Sequence, residues 1–358
     1  MHLLETRTLY ANPDPLLVSR QAAFPGLIRL ADGKLLAMFS IGQAFDAADM
    51  RAYVSISRDN GQIWSPPAQL HDTRLDPMES ESFKPLQLAD GSLLATGYVF
   101  VRPDALTPIV DPATNALLPI HNKLARSVDG GFTWTTPERF SIDDVGLELS
   151  GPFLQLASGR ILGAAAPFHL GPSGHEGWLI SSDDNGTSWQ RQAVFFRSEG
   201  GHIAPWECRL IDFGNERIGV LFWAYDLASD HHLSNRLALS DDGGTSFTTI
   251  DTGISGQASN AIALGPNELL SIHAHRETPI GLKVYRLALA GGTVQVTDML
   301  SLFGDEMSGQ GVARNRDPFA NLRFGQPGLL ALGENEYLAS CWQIENGQHI
   351  IKTFRIRL

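Results

Sequence analysis

One eight-residue pattern recurs four times and constrains the fold more than any other feature of the sequence. Its copies read Ser-x-Asp-x-Gly-x-x-aromatic: SRDNGQIW at 57–64, SVDGGFTW at 127–134, SDDNGTSW at 182–189 and SDDGGTSF at 240–247. Each copy follows a short alternating strand pattern, so it predicts a β-hairpin turn in which Asp and Asn cap backbone amides and Gly supplies a positive φ. Four such copies predict a fold built from repeated supersecondary units.

A second repeat joins a strand, an Asp-Gly-like turn and another strand, and five of its copies open on a proline. The leading prolines are Pro25, Pro85, Pro152, Pro205 and Pro327. The interval between the last two holds a sixth copy without a proline, SGQASNAIALGPNELLSIHAH. Six units of about 60 residues, each the size of a four-stranded meander, predict an all-β, six-bladed β-propeller, with residues 1–358 as a single domain.

Each end of the chain carries a strand pattern that has no hairpin partner. These patterns are LLETRTLY near the N-terminus and HIIKTFRIRL at the C-terminus. Since a free strand edge invites association, we expect the N-terminal strand to complete the last blade beside the C-terminal strand. The proline-rich stretch 102–122 predicts a long loop over one face.

The charge balance and the targeting patterns of the sequence limit its possible binding partners and its cellular compartment. Acidic residues outnumber basic ones by 39 to 27, and the formal charge of −12 argues against a nucleic-acid partner. No apolar run is long enough to span a membrane and the first residues lack a signal-peptide pattern, so we expect a cytoplasmic protein without a membrane partner, although a processed secreted form would look the same. Cys208 and Cys341 lie in apolar strand patterns and are expected in the core. The oligomeric state is left open.

The four Ser-x-Asp-x-Gly-x-x-aromatic turns, together with the six-unit repeat, resemble the Asp-box (BNR) repeats of the sialidase-like superfamily. The resemblance covers essentially the whole chain. It implies a six-bladed propeller whose Asp boxes lie on the outer edge, away from the site. It also implies a carbohydrate-active hydrolase with its site on the propeller axis, where the innermost strands begin.

The resemblance implies two carboxylates for that site. The superfamily's catalytic acid lies about a dozen residues before the first Asp box, where Asp46 matches and Asp49 is a second candidate. Its glutamate opens the fourth blade, where Glu207 stands in APWECRL. A carboxylate in so apolar a strand either faces the cleft or pairs with an arginine such as Arg209. An Asp and a Glu across a cleft suit general acid and base catalysis on a glycosidic bond.

The superfamily's three arginines are mostly missing from this sequence. Ala23 occupies the first arginine position, and Arg20 is nearby but out of register. The strand of the second arginine offers Trp223 and Tyr225 instead, and Arg276 is a loose match to the third. Because a sialic acid carboxylate is best bound by planar guanidinium groups, we expect the substrate to be a saccharide other than an ordinary sialoside.

The superfamily's nucleophilic tyrosine is also missing, since the sixth unit opens with Phe-Gly-Gln-Pro at 324–327. The second catalytic role then passes to Glu207 itself or to an activated water.

Further binding residues are expected in the loops and strands that open each blade, because these converge on the axis of a propeller. The polar and aromatic candidates, including an aromatic floor for a sugar ring that has propeller core as its alternative, are Arg20, Glu81, Lys84, Trp206, Trp223, Tyr225, Gln257, Asn260, His275, Arg276, Arg316 and Gln326.

Three functions remain open on the sequence. The first is a glycoside hydrolase without a cofactor, and the second is a non-catalytic glycan-binding propeller. The third is a metal-assisted lyase that uses His273 and His275, which share one face of a strand, with ligands from His202, His231 or His232.

Overall fold

The computed structural model describes residues 1–74, 78–304, 322–333 and 335–358. In these ranges the strands form six antiparallel sheets, five of them built on a four-stranded meander and the sixth on a three-stranded meander joined by the N-terminal strand. The first sheet contains β2 (Gln21–Arg29), β3 (Leu35–Gly42), β4 (Arg51–Ser57) and β5 (Ala68–Gln69). The second contains β6 (Glu79–Gln87), β7 (Leu93–Val101), β8 (Ile120–Ser127) and β9 (Glu138–Phe140). The third contains β10 (Leu154–Gln155), β11 (Ile161–Ala165), β12 (Glu176–Ser182) and β13 (Gln190–Arg197).

The fourth and fifth sheets repeat this chain order, and the sixth adds the N-terminal strand. The fourth contains β14 (Ile203–Gly214), β15 (Arg217–Asp226), β17 (Ser234–Ser240) and β18 (Thr248–Ser255), with the short β16 (His231–His232) also paired to β15. The fifth contains β19 (Ser259–Gly265), β20 (Glu268–His275), β21 (Gly281–Ala290) and β22 (Thr293–Phe303). The sixth contains β23 (Phe324–Gly333), β24 (Glu336–Glu345), β25 (Gln348–Arg357) and β1 (His2–Tyr10).

The fold is a six-bladed β-propeller, as the two repeats predict. The predicted pairing of the chain ends is confirmed, since β1 lies beside β25 in the sixth sheet. The copy of the second repeat that lacks a proline forms β19 and β20. A short 3₁₀ turn, Glu199–Gly201, precedes β14. Over the described part of the chain, no helix is long and apolar enough to cross a membrane.

The four repeated turns share one hydrogen-bond pattern. In each, the serine hydroxyl donates to the aspartate Oδ1 at 2.7–2.9 Å and accepts a glycine N–H at 2.8–3.0 Å. The same Oδ1 accepts the two following N–H groups at 2.8–3.0 Å. The hydroxyls of Thr133 and Ser188, which donate to Oδ2 of Asp129 and of Asp184, together with these bonds lower the pKa of both aspartates to about 2. Each turn therefore supplies side-chain acceptors for its own backbone N–H groups.

The chain divides into two compact units. Leu4–Phe140 with Arg323–Leu358 carries the first, second and sixth sheets. A core cluster within it joins the first two sheets, with Met38, Phe83 and Leu93 almost completely buried. Strands β6 and β7 contribute residues to this cluster, and most of their residues are buried on both faces.

The other unit comprises Met1–Leu3 and Ser141–Leu322 and carries the third, fourth and fifth sheets. One of its clusters contains Phe195 and Phe222. Cys208 belongs to the same cluster as a free, buried thiol, and Cys341 in the sixth sheet is likewise free and buried. The expectation that both cysteines are core residues is confirmed.

Candidate functional site

Three of the strands that open a sheet carry a β-bulge with a left-handed residue in it. Phe24 in β2 has φ 60°, Glu207 in β14 has φ 53° and Gln326 in β23 has φ 40°. The strand register shifts across each of these residues. Bulges re-aim side chains, and non-glycine residues in this conformation concentrate at functional sites. The bulge in β14 therefore marks Glu207, the glutamate selected from the sequence, as a candidate functional residue.

Glu207 lies in a charged network on β14. Its Oε2 accepts a hydrogen bond from Nη2 of Arg209 at 2.5 Å. Arg209 is 2% exposed and also donates to the hydroxyl of Ser150 at 2.9 Å. The Glu207 side chain keeps 17% of its surface exposed. The carboxylate is thus ion-paired and still reachable from solvent.

A second carboxyl group, Glu148, lies beside Glu207 and was missed by the sequence analysis. Its Oε2 accepts the backbone N–H of Glu207 at 3.0 Å. Burial and the charge of Glu207 raise the pKa of Glu148 to about 8, so the group carries a proton at neutral pH. Glu148 stands four residues before Pro152, as Glu81 stands four before Pro85, and this shared position in the repeat is the signal that would have found it.

Arg276 follows β20 in the same unit, and its charge faces Glu207. Burial lowers the pKa of Arg276 to about 10, and the negative charge of Glu207 opposes that shift. Its backbone N–H donates to Oε1 of Gln257 at 2.6 Å. Gln257 is buried, and its own N–H donates to the carbonyl of Ala274. Gln257 therefore fixes the backbone that presents Arg276. Asn260 lies half-buried in β19.

Asp46 occupies the loop between β3 and β4 in the other unit. Burial raises the pKa of Asp46 to about 7, with Arg102 opposing the shift. Nη1 of Arg102 lies 3.7 Å from the carboxylate and donates to the backbone carbonyl of Asp46 at 3.3 Å. Nη2 of Arg102 donates to the carbonyl of Thr107, in the long segment between β7 and β8. Arg102, which the sequence analysis did not select, thus anchors the loop of Asp46.

Asp49 and Arg20 are both exposed. The carboxylate of Asp49 accepts the N–H of Gln43 at 3.0 Å, which makes it a cap of its own loop. Of the two candidate acids, Asp46 is the one whose environment favours a held proton.

Aromatic rings surround the loop of Asp46. Phe45 packs on Phe24 at 5.2 Å, on Trp342 at 4.9 Å and on His349 at 5.4 Å between ring centroids. Phe24, Phe45 and His349 are half-buried, whereas Trp342 is fully buried. Burial lowers the pKa of His349 to about 4, so this ring is neutral. The cluster places accessible ring surface at the residue that precedes Asp46 in the chain.

Lys84 and Gln326 are both buried in the same unit as Asp46. The ammonium of Lys84 donates to the carbonyl of Phe24 at 2.7 Å and to Oε1 of Gln326 at 3.1 Å. It thereby ties together the two left-handed residues of β2 and β23. The sequence analysis selected both residues, and the structure brings them into direct contact. Arg316 lies outside the described residues.

The predicted aromatic floor divides into core and surface. Trp206 and Tyr225 are buried and stack at 5.5 Å within one core cluster. Trp223 is half-buried and stacks on His232 at 5.3 Å. Trp206 and Tyr225 therefore follow the alternative of propeller core, and Trp223 alone of the three offers an accessible ring.

Glu81 is buried in a pair of its own. Its Oε1 lies 2.9 Å from Nε2 of His71, and its Oε2 accepts the N–H of Ala52 at 2.8 Å. Both carboxylate oxygens are thus engaged inside the protein.

The histidines of β20 also bond to protein groups. The ring nitrogens of His273 lie 3.2 Å from Oδ1 of Asn235 and 3.0 Å from the hydroxyl of Ser271. Nε2 of His275 lies 2.9 Å from the hydroxyl of Tyr285. Burial lowers the pKa of both histidines, that of His275 to about 4. Within the described ranges, no group of three or more His, Cys, Asp or Glu side chains is placed to hold a metal ion.

Solved structures similar to this chain include several sialidases. A protein of unknown function from Dyadobacter fermentans matches 100% of this chain and 99% of its own, with 21% identity and a TM-score of 0.77. A Hadza microbial sialidase matches 99% of this chain and 68% of its own, with 16% identity and a TM-score of 0.71. The NanB sialidase of Streptococcus pneumoniae matches 98% of this chain and 70% of its own, with 11% identity and a TM-score of 0.67. The chain has the sialidase-like propeller fold.

The comparisons of sequence assign the chain to no family. No protein-family model matches the chain, and no curated protein matches its sequence. The relation to sialidases therefore rests on the fold, and activity and substrate are matters for proposal.

Proposed function

We propose that this protein is a glycoside hydrolase acting on a saccharide other than an ordinary sialoside. The observation that carries the proposal is the state of Asp46. It stands where the resemblance places the catalytic acid, and its raised pKa of about 7 keeps a proton available near neutral pH. An acid of this kind protonates the oxygen of the leaving group as the glycosidic bond breaks.

The second role is assigned to Glu207. Arg209 pairs with its carboxylate, and the side chain keeps 17% of its surface exposed, so a substrate or a water molecule can reach it as a nucleophile or a general base requires. Its left-handed backbone is of the kind that active sites retain at a cost in stability. The two roles come from the resemblance, and each is supported by the environment of its own side chain.

The described arginines support a substrate that is not a sialoside. The first arginine position of the superfamily holds the fully buried Ala23, and the strand of the second offers Trp223 and Tyr225 instead. A charge-assisted contact contributes about 1.5–3 kcal/mol, so losing two of them weakens binding of a carboxylate by about two to four orders of magnitude.

The rings beside Asp46 favour a neutral sugar. Phe24 and Phe45 keep part of their surfaces exposed and pack on each other. The C–H face of a pyranose packs well on such rings, and no fixed charge is needed for that contact.

The test is turnover of a panel of neutral aryl glycosides and oligosaccharides, with a fluorogenic sialoside in parallel. We expect hydrolysis of at least one neutral substrate and release of sialic acid at the uncatalysed rate. Glu207→Gln should abolish the activity, while Glu199→Gln, at an exposed acid of the same unit, should retain it. Sialoside hydrolysis that Glu207→Gln removes would contradict the substrate assignment.

A glycan-binding propeller without catalysis is the second candidate. It is favoured by the Glu207–Arg209 ion pair, in which each charge already has a partner. Saccharide binding by wild type and Glu207→Gln alike, with no turnover by either, would establish it in place of the hydrolase.

A further inference from the structure

We propose that Glu148 is a positioning residue whose buried carboxyl group holds the backbone of Glu207 in its left-handed conformation. The proposal rests on the function proposed for Glu207. It assigns to Glu148 no contact with substrate, and it makes the geometry of Glu207 depend on the protonation of a buried neighbour.

The segment 147–151 is packed tightly against β14. The N–H of Glu148 donates to the carbonyl of Ala166 at 2.9 Å, which ties the segment to the residue just after β11. A Cβ atom on Gly151 would lie 2.3 Å from the carbonyl oxygen of Cys208, so only glycine permits this approach. Glu148 itself is 4% exposed. Its carboxyl group therefore has little freedom to leave its position.

The bulge in β14 creates the need for such a group. The pairing of β14 with β15 shifts between Trp206 and Arg209, so the ladder skips Glu207. The extra residue of a bulge loses its ladder partner. Oε2 of Glu148 accepts the N–H of Glu207 at 3.0 Å and supplies that partner. Since a non-glycine residue keeps φ near 53° only when its surroundings impose it, this hydrogen bond helps to impose it.

The charged groups around Glu148 make its proton part of this arrangement. From β14 it faces Glu207, Arg209 and the Cys208 thiol, and from its own segment it faces Ser150. Burial and the charge of Glu207 raise the pKa of Glu148 to about 8, against the opposing effects of Ser150 and Arg209. Above that pH a second negative charge forms next to Glu207, where it is poorly solvated and repelled. We expect the segment 147–151 then to withdraw from β14.

Glu81 occupies the same position in its repeat copy as Glu148, four residues before the proline, but it has a different neighbour. It also accepts a backbone N–H, that of Ala52, at 2.8 Å. Its other oxygen meets His71 rather than a carboxylate. Glu81 therefore lies beside a histidine, whereas Glu148 lies next to a second carboxyl group whose charge raises its pKa.

Two variants distinguish the role of the Glu148 oxygen as a hydrogen-bond acceptor from the role of its proton. Glu148→Gln retains a carbonyl oxygen for the N–H of Glu207 and is neutral at every pH, and Glu148→Ala removes the acceptor. In wild type the decline of kcat/KM at alkaline pH should steepen above about pH 8, as Asp46 and then Glu148 lose their protons. Glu148→Gln should keep near-wild-type activity at pH 7 and lose only the second ionisation. Glu148→Ala should lose at least about ten-fold in kcat with little change in KM.

A readout without substrate keeps this test independent of the proposed function. Carboxyl ¹³C NMR should find Glu148 titrating near pH 8 in the folded protein. Amide exchange at Glu207 should be protected in wild type and Glu148→Gln and accelerated at least about ten-fold in Glu148→Ala. If the panel finds no substrate while these results hold, the function fails and the positioning role stands. Titration of Glu148 in the ordinary carboxyl range, or equal protection of Glu207 in all three proteins, would overturn the positioning role.

Discussion

At the scale of single residues, the acids with shifted pKa values fall into two kinds. Asp46 and Glu148 have raised pKa values because burial outweighs the neighbouring arginine. Asp129 and Asp184 have pKa values near 2 because several donors surround each carboxylate. The first kind of acid can exchange protons near neutral pH, and the second cannot. This difference separates the acids of the candidate site from those that shape turns.

We predict that Asp46→Asn lowers kcat by about 10²–10⁴ on substrates with poor leaving groups and much less on dinitrophenyl glycosides, which need no protonation. Wild-type activity should fall as pH rises through about 7. Asp49→Asn should not change the leaving-group dependence, because Asp49 is exposed and caps Gln43. The reverse pattern between the two variants would make Asp49 the acid.

The raised pKa of Asp46 also affects stability. The unfolded chain ionises this carboxyl near the ordinary aspartate pKa of 3.8, while the folded protein keeps the proton until about pH 7. Its contribution is therefore fully present below pH 3.8 and is lost as pH rises to about 7. Urea denaturation at pH 4 to 8 should show a flatter decline for Asp46→Asn than for wild type.

At the scale of the elements, the repeated turns are autonomous. Ser182 bonds both to Asp184 and to the buried N–H of Gly186, which has φ 78°. Every bond in the motif joins residues within four positions of one another. A pattern that is local in sequence can therefore define the structure by itself.

We predict that Ser182→Ala destabilises the protein by about 1–3 kcal/mol, because it leaves the buried N–H of Gly186 without its acceptor. Urea unfolding at pH 7 measures the loss. Gln190→Ala, at an exposed position of the next strand, should change stability by less than about 0.5 kcal/mol. Equal stability of the two variants would show that the turn does not depend on the serine.

At the scale of the whole molecule, the two chain ends meet in one sheet. β1 covers the edge of β25, whose own sequence carries Ile350, Ile351 and Phe354 in buried positions. Leu9 and Tyr10 at the end of β1 are also buried. The N-terminal strand thus both closes a hydrogen-bonded edge and adds to the core.

We predict that deleting residues 1–10 lowers stability by about 3 kcal/mol or more and causes concentration-dependent aggregation. Thermal unfolding and light scattering measure the two effects. Leu4→Thr, at an exposed position of the same strand, should leave both nearly unchanged. A truncated protein with the wild-type melting temperature would show that β1 is dispensable for closure.

The sequence by itself determined the repeat, the number of sheets and the pairing of the chain ends. Each of these depends on local patterns: turn residues within eight positions, alternating strands, and one unpaired strand at each terminus. Such patterns specify structure without knowledge of distant contacts. Glu207 and Asp46 were selected through the resemblance to the sialidase-like superfamily that these patterns carry.

Only the tertiary structure decided the electrostatic state of those residues. Glu148 meets Glu207 across 59 positions of sequence, and Arg102 meets Asp46 across 56. Likewise, the burial of Trp206 and Tyr225 and the Glu81–His71 pair depend on how strands and segments pack. A carboxyl group's proton is controlled by burial and by charges within a few ångströms, and neither can be read from neighbours along the chain.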